Sequence, residues 1–242
     1  MHLSVVIPAF NEERRLPATL SSVVEYLNGR DYDSEVVVVD DGSFDRTAEL
    51  VRGWDGGRTA LRLIAHPDGA NHGKGATVRR GFARSTGDFR IFMDADNSTT
   101  INQIETFWPF FDQGFDVVIG SRDVAEAKVL VHQSWHKELG GKVGNLVIQM
   151  LAAPGIKDTQ AGFKMFTAAC IEDLLPCLRI DRWGFDVELI AAARHRGFRV
   201  KEAPIRWVNS PDSKVPPNAY LQVMAEVWKV RKLRRAGAYD RK

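Results

Sequence analysis

Short apolar runs that end in polar residues recur along the first half of the chain. They lie at residues 3–7, 36–39, 61–64 and 91–93, and each is typical of a buried strand. The segments between them carry apolar residues at helical spacing, which after the first run are Leu16, Leu20, Val23, Val24 and Leu27. Strands that alternate with helices in this way predict an α/β fold, with a doubly wound and mostly parallel sheet flanked by helices.

The alternation is less regular in the second half. The elements predicted there are a strand at 115–119, a helix at 143–151, a polar, turn-rich segment at 157–164, helical material from there to residue 178, a helix at 185–194 and a strand within 199–208. No internal repeat separates the two halves, so we interpret residues 1–220 as a single domain. Residues 221–242 are predicted to form a basic amphipathic C-terminal helix or tail.

Composition narrows the functional classes. The 242 residues include 33 Lys and Arg against 31 Asp and Glu, and the formal charge of +2 argues against a nucleic-acid-binding protein. No apolar segment reaches the roughly 18 residues that a membrane span needs, and no signal peptide is recognisable. We therefore expect a cytoplasmic protein, or one peripheral on the cytosolic face of a membrane. Cys170 and Cys177 lack the spacing of a zinc site and are expected to be reduced.

Two carboxylates separated by one residue, Asp94 and Asp96, follow the fourth predicted strand directly. The carboxyl ends of strands in such a sheet line its ligand crevice. Oxygen ligands there suit Mg²⁺ or Mn²⁺, which bind phosphates while using only one or two protein carboxylates. Aspartate is also common in turns, so turn formation is the simpler alternative for this pair.

A glycine-rich segment at residues 69–75 contains Lys74. Its glycine spacing is one residue short of a phosphate-binding P-loop, and Gly75 replaces the required Ser or Thr, so a P-loop nucleoside triphosphatase is excluded. The first strand is not followed by the glycine pattern of a dinucleotide-binding fold, which argues against a dehydrogenase. Lys74 is predicted to lie beside a donor phosphate or ribose; a solvated loop lysine is the alternative.

Arg122 follows the predicted strand at 115–119. Its planar guanidinium could hold an acceptor phosphate through two hydrogen bonds. The alternative is a surface ion pair with the adjacent Asp123.

Several segments, taken in order, resemble the inverting nucleotide-sugar glycosyltransferases of family 2, which have the GT-A fold. They are Val6-Ile7-Pro8-Ala9-Phe10-Asn11-Glu12, Val39-Asp40-Asp41-Gly42-Ser43, Gly73-Lys74-Gly75, Asp94-Ala95-Asp96 and Gly120-Ser121-Arg122. Three later segments are similar to the dolichyl-phosphate glucosyltransferases and, slightly less, to the dolichyl-phosphate mannose synthases. They are residues 158–164, residues 182–189 and Ser213-Lys214-Val215.

The resemblance implies roles for individual residues on the donor side. Asp40 is expected to accept a hydrogen bond from the base and Asp41 to lie near the ribose, with turn capping as the alternative. Asp96 is expected to bind the metal directly, and Asp94 to contact the metal or the ribose. The remaining residues of the implied nucleotide-sugar pocket are Pro8, Ala9, Asn11, Glu12 and Ala95.

On the acceptor side, the resemblance suggests Lys137 as a second basic residue that helps Arg122 to bind an acceptor phosphate. Asp186 lies where members that act on a hydroxyl place their general base. A lipid phosphate is already anionic and needs no such base, so the role of Asp186 depends on the acceptor.

The expected activity is transfer of a hexose, preferably glucose from UDP-glucose, to a polyprenyl or dolichyl phosphate. Alternatives are a mannosyltransferase that uses GDP-mannose and a transferase to a sugar hydroxyl with Asp186 as the base. A sugar-1-phosphate nucleotidyltransferase is disfavoured by the loop at residues 8–12, and a non-catalytic nucleotide-sugar-binding module by the intact carboxylates. The basic residues among 223–235 are expected either to bind an anionic membrane surface or to form the solvated face of a docked helix.

Overall fold

The computed structural model describes residues 1–129, 144–145, 147–208 and 219–241. Its strands are β1 (His2–Ala9), β2 (Asp33–Asp40), β3 (Ala60–Ala65), β4 (Phe89–Met93), β5 (Val117–Ser121), β6 (Lys128–Val129), β7 (Phe163–Thr167), β8 (Val200–Pro204) and β9 (Arg206–Trp207). Its helices are α1 (Leu16–Asn28), α2 (Thr47–Arg52), α3 (Lys74–Arg84), α4 (Trp108–Asp112), α5 (Ala168–Leu174), α6 (Phe185–His195) and α7 (Ala219–Arg235). Short 3-10 helices occupy Ile101–Thr106 and Leu175–Cys177.

Within these residues, the main sheet has seven strands in the order β3-β2-β1-β4-β7-β5-β8. Strand β7 runs antiparallel to its neighbours β4 and β5, and the other pairs are parallel. The prediction of a single α/β domain with a mostly parallel sheet flanked by helices is confirmed. A small second sheet pairs β6 with β9.

Both faces of the sheet are covered at its centre, which explains why β1 and β2 contain continuous apolar runs. Alternate residues of β1 point to opposite faces, so Val5 and Ile7 enter one core together with α1, while Val6 enters the other together with α3. The contact between α3 and β1 is close, since a Cβ at Gly81 would lie 2.2 Å from Val6 Cγ1. This packing holds the amino end of α3 near the carboxyl ends of β1 and β2.

The helical prediction immediately after residue 164 was wrong. Residues Phe163–Thr167 form β7, and helix begins only at Ala168. The misleading residue is Lys164, whose charge breaks the apolar pattern although its side chain is fully buried. Asp186 neutralises it in the interior, a compensation that cannot be read from the local sequence.

Two other predictions need qualification. The strand expected within residues 199–208 is divided, because β8 joins the main sheet and β9 pairs with β6. The helix expected at residues 143–151 is helical at residues 144–145 and 147–151, whereas residues 143 and 146 lie outside the described part of the chain.

The C-terminal helix α7 is docked on the domain. Val223, Val227 and Val230 are buried on its inner side and belong to the same core as α6. Tyr239 beyond it is also buried, and its hydroxyl donates to Glu188 Oε1 at 2.9 Å. Among the described residues, none of the helices has the length and apolar character that crossing a membrane requires.

Candidate active site

A cavity of ≈ 570 Å³ opens at the carboxyl ends of β1, β2 and β4. Its walls come from these strand ends, the amino end of α3, the loop before α6 and the first turns of α7. The lining residues are Pro8, Ala9, Phe10, Glu12, Arg15, Asp41, Asn71, Gly73, Lys74, Thr77, Asp94, Ala95, Asp96, Arg182, Trp183 and Gln222. Its size is in the range of small-molecule sites.

Neighbouring backbone holds the carboxylate pair at the end of β4. The Asp94 amide donates to the Gly162 carbonyl at 3.1 Å, and Thr19 Oγ1 donates to the Ala95 carbonyl at 2.7 Å. The Asp94 side chain packs directly on the backbone of Gly162, where a Cβ would lie 2.0 Å from its Oδ2. Asp94 and Asp96 thus reach the cavity from a segment that is anchored on two sides.

Cations accompany both carboxylates. Lys74 Nζ lies 2.5 Å from Asp94 Oδ1, whereas Arg15 Nη1 lies 3.8 Å from Asp96 Oδ2. Burial opposes the charge of Lys74, but the carboxylates of Asp94 and Asp186 outweigh this effect and raise its pKa above the ordinary value. Lys74 therefore brings a positive charge into the cavity at neutral pH.

Asp41 connects the end of β2 to the glycine-rich loop. Its carboxylate accepts the backbone N–H groups of His72 at 2.8 Å and Gly73 at 2.9 Å, and Asn71 Nδ2 donates to it at 2.9 Å. At 4 % exposure it is almost fully buried, yet it lines the cavity. Asp41 consequently fixes the loop from which Lys74 projects.

The structure brings together most of the residues predicted for the donor pocket: Pro8, Ala9, Glu12, Asp41, Lys74, Asp94, Ala95 and Asp96 all line the cavity. Asp40 and Asn11 do not. Asp40 accepts the Ser43 N–H at 3.2 Å and lines a separate depression of ≈ 390 Å³. Asn11 has a φ of +55° and accepts the Phe44 N–H at 3.0 Å, so it shapes the loop after β1.

Arg122 forms an ion pair with Asp158, and neither residue lines the cavity. Its Nε and Nη2 donate to the two carboxylate oxygens of Asp158 at 2.7 and 2.9 Å, and its backbone N–H donates to the same carboxylate at 2.9 Å. Burial disfavours both charges, but their mutual attraction prevails, raising the pKa of Arg122 and lowering that of Asp158. Lys137, the suggested second phosphate ligand, lies outside the described residues.

Asp186 forms a buried ion pair with Lys164 and does not line the cavity. Lys164 Nζ lies 2.5 Å from Asp186 Oδ1 and also donates to the Ala161 carbonyl at 2.5 Å. Burial raises the pKa of Asp186 and lowers that of Lys164, each shift being opposed by the partner's charge. The carboxylate is thus committed to a structural contact.

Sequence reasoning did not single out Arg15, Arg182, Trp183 or Gln222, all of which line the cavity. Arg182 and Trp183 belong to a segment that had been noted only for its resemblance. Arg15 lies just before α1, and Gln222 lies on α7, in the segment predicted to be a basic amphipathic helix or tail. Without the fold, no local signal directs these side chains to the carboxylate pair.

The sequence profile of glycosyl transferase family 2 matches residues 4–175, which include most of β1, the strands from β2 to β7 and the carboxylate pair. The chain belongs to this family. Curated relatives agree: the chain is 33% identical to a dolichyl-phosphate beta-glucosyltransferase of Trichomonas vaginalis, over 95% of this chain and 73% of that protein. Enzymes of the same name from Dictyostelium discoideum and Homo sapiens are 30% and 32% identical, over 96% and 89% of this chain and 74% and 70% of theirs.

Solved structures place the family 2 chain in the GT-A fold. Mannosyl-3-phosphoglycerate synthase from Rubrobacter xylanophilus matches 100% of this chain and 76% of its own, with a TM-score of 0.72 at 18% identity. Glucosyl-3-phosphoglycerate synthase from Mycobacterium tuberculosis, in complex with Mn²⁺, UDP and phosphoglyceric acid, matches 97% of this chain and 78% of its own, with a TM-score of 0.67 at 21% identity. At such identities the likeness establishes the fold.

Proposed function

We propose that this chain transfers glucose from UDP-glucose to the phosphate of a polyprenyl lipid, with inversion at the anomeric carbon. The main support is the carboxylate pair Asp94 and Asp96, which lines a cavity of suitable size beside the charged Lys74. The names of the curated relatives support the choice of glucose and of a dolichyl phosphate acceptor.

Asp94 and Asp96 suit a divalent cation, because they offer hard oxygen ligands in the same cavity. Asp96 is the better placed to ligate it directly, since the nearest cationic group among the described residues lies 3.8 Å from it, whereas Lys74 lies 2.5 Å from Asp94. No group of three or more acidic, histidine or cysteine side chains suited to a metal occurs in the described residues, so a cation held by this pair would take its other ligands from phosphate oxygens and water. A bound cation would offset the negative charge that develops on the departing diphosphate.

The protein's own groups complete the donor site. Lys74, with its raised pKa, is placed to neutralise a phosphate or to donate to it. We assign to the nucleoside the part of the cavity that is lined by Asp41 and by Pro8 and Ala9 at the end of β1. A carboxylate oxygen can accept more than one hydrogen bond, so Asp41, which already accepts from the glycine-rich loop, can also accept from a ribose hydroxyl or a base N–H group.

The state of Asp186 favours a phosphate acceptor over a hydroxyl. An attacking hydroxyl must lose a proton to a base, but Asp186 is buried and already paired with Lys164. A lipid phosphate needs no base: one of its oxygens forms a bond to the anomeric carbon while the bond to the β-phosphate oxygen of UDP breaks. UDP leaves with the electron pair of that bond.

The exposed side of α7 supports a peripheral membrane location for this activity. Leu221 is 76% exposed and Trp228 is 49% exposed, on the side of the helix opposite its buried valines. The same exposed face carries the basic residues Lys229, Lys232 and Arg235. Apolar side chains flanked by basic ones are typical of helices that bind anionic lipid surfaces.

A donor and acceptor panel tests the proposed function. The purified chain is incubated with Mn²⁺ and UDP-glucose, UDP-galactose or GDP-mannose, with and without a polyprenyl phosphate, and release of UDP or GDP is measured. We expect fast release only with UDP-glucose together with the lipid phosphate. Release that is equally fast with GDP-mannose, or that depends on a sugar acceptor instead, would refute the assignment.

A further inference from the structure

The cations around the cavity differ in how far their charge is already used. Lys74 is paired with Asp94, and Arg122 is held by Asp158 away from the cavity lining. Arg182 lines the cavity with an exposed side chain, and its guanidinium forms no hydrogen bond or ion pair with any residue that the structure describes. Arg182 therefore has its donors available for a ligand.

The loop that carries Arg182 is fixed on one side by α3. The Ala76 amide donates to the Asp181 carbonyl at 3.0 Å, and Arg79 Nη2 lies 2.6 Å from Asp181 Oδ1. The glycine-rich loop packs directly on it, since a Cβ at Gly73 would lie 2.9 Å from Arg182 Cγ. The backbone of the loop is thus anchored beside the residue that precedes Lys74.

The other side of the loop is fixed by α7. The Gly184 amide donates to Glu226 Oε2 at 2.6 Å, and a Cβ at Gly184 would lie 2.7 Å from Glu226 Cβ. Gln222, one turn earlier on the same helix, lines the cavity. Burial raises the pKa of Glu226, an effect opposed by its hydrogen bond from Gly184 and by the charges of Lys229 and Arg182. The docked helix therefore braces the loop.

We infer that Arg182 binds a phosphate group in the cavity and that Glu226 is a positioning residue for it. The planar guanidinium can donate two parallel hydrogen bonds to phosphate oxygens, which an ammonium such as that of Lys74 cannot do. A phosphate entering a cavity lined by Asp94 and Asp96 also needs positive charge in addition to Lys74. The group is either the diphosphate of the nucleotide donor or the phosphate of the acceptor, and in this respect the inference rests on the proposed function.

Titration calorimetry in the presence of Mn²⁺ shows whether Arg182 binds the diphosphate of the donor or the phosphate of the acceptor. Wild type, Arg182→Gln and the matched control Arg84→Gln, which changes an exposed arginine at the far end of α3, are titrated with UDP, GDP and uridine. The KM for a polyprenyl phosphate is measured on the same proteins. If Arg182 holds the diphosphate, Arg182→Gln weakens nucleotide binding about tenfold to a hundredfold and leaves uridine binding unchanged. If it holds the acceptor, nucleotide binding is unchanged and that KM rises by a similar factor.

Unchanged values in both measurements, or an equal loss of UDP and uridine binding, would refute the inference. Glu226→Ala should weaken binding of the same ligand that Arg182→Gln affects. Glu226→Gln should bind that ligand like wild type, because the amide oxygen can still accept the Gly184 N–H. A wild-type chain that binds UDP but transfers no glucose would contradict the proposed function alone, since the binding comparison for Arg182 would remain valid. A chain that binds neither UDP nor GDP would contradict both.

Discussion

At the scale of single residues, Lys74 and Asp94 show how one contact can serve two purposes. The 2.5 Å ion pair keeps the lysine charged in a half-buried site and holds the carboxylate at the cavity wall. Each charge offsets part of the cost of removing the other from water. The pair leads to two predictions, one for each of its members.

Replacement of Lys74 by methionine should weaken UDP binding about tenfold to a hundredfold, because the phosphate loses a cation and meets an uncompensated Asp94. Lys74→Arg should weaken UDP binding less. Because the pKa of Lys74 lies above its ordinary value of 10.5, the residue stays protonated well into the alkaline range, and wild-type affinity should not fall between about pH 7.5 and 8.5 through loss of this charge. Calorimetric titrations at both pH values measure these effects. Equal UDP affinity for wild type and Lys74→Met would exclude the phosphate role.

Replacement of Gly162 by alanine should displace Asp94, because the new Cβ would lie 2.0 Å from the carboxylate oxygen. We expect the rate of transfer to fall at least tenfold while the chain remains folded, as judged by circular dichroism. Gly29→Ala is the matched control, since a Cβ there would meet its nearest neighbour at an ordinary 3.5 Å. If both variants kept wild-type activity, the close packing of Gly162 on Asp94 would have no functional importance.

At the scale of secondary-structure elements, Glu35 links the sheet to the end of α3. This buried carboxylate of β2 accepts hydrogen bonds from Ser4 Oγ at 2.7 Å, the Thr86 amide at 2.7 Å and Arg62 Nη1 at 2.8 Å. Burial alone would raise the pKa of Glu35, but these hydrogen bonds hold it below the ordinary value of 4.5. Its contribution to stability is therefore present above about pH 4.5 and is lost as the pH falls.

Glu35→Gln should lower the free energy of unfolding by about 1 to 3 kcal/mol at pH 7, since it removes charged hydrogen bonds in a buried site. The difference in the free energy of unfolding between wild type and Glu35→Gln should begin to narrow below about pH 4.5, where the unfolded chain takes up the proton, and should be smallest once the native carboxylate is protonated as well. Urea denaturation at pH 7 and pH 4 provides the measurement. Glu49→Gln serves as control, because that exposed pair with Arg46 should contribute little. A difference that grows towards acid would contradict the lowered pKa.

The exposed face of α7 provides a second test at this scale. In flotation with vesicles that contain anionic lipid, the wild-type chain should float, and a Leu221→Ser, Trp228→Ser variant and a Lys229→Glu, Lys232→Glu variant should both float less. An Arg58→Glu, Arg84→Glu control changes exposed arginines outside α7 and should float like wild type. If the wild type stayed with the soluble fraction, or all variants floated equally, the proposed membrane surface would be wrong.

At the scale of the whole molecule, features set by local pattern could be predicted and features set by distant partners could not. Strands buried on both faces are apolar runs in the sequence, and parallel strand ends meet at one edge, so the α/β fold and the grouping of Asp41, Lys74, Asp94 and Asp96 followed from the sequence. The identity of β7 did not, because the charge of Lys164 is balanced by a residue 22 positions away.

The same limit applies to the acceptor side of the site. Arg122 is held by Asp158, 36 residues later, and Gly184 by Glu226, 42 residues later. Such pairs decide which charges are available to a ligand, and the spacing of the residues along the chain carries no trace of them. The role of Arg122 as a phosphate ligand stays a prediction: in the structure it is paired with Asp158, whereas Arg182 lines the cavity and has no hydrogen-bond or ion-pair partner among the described residues.

The most direct test of the central claim is transfer of labelled glucose from UDP-glucose into an organic-extractable polyprenyl phosphate in the presence of Mn²⁺. Wild type, Asp96→Ala and Asp186→Asn are compared after thermal melts confirm that each is folded. We predict that wild type labels the lipid, that Asp186→Asn retains appreciable turnover, and that Asp96→Ala loses at least a hundredfold in rate. Metal-dependent transfer that persists in Asp96→Ala, or complete loss in Asp186→Asn with UDP binding intact, would contradict the account.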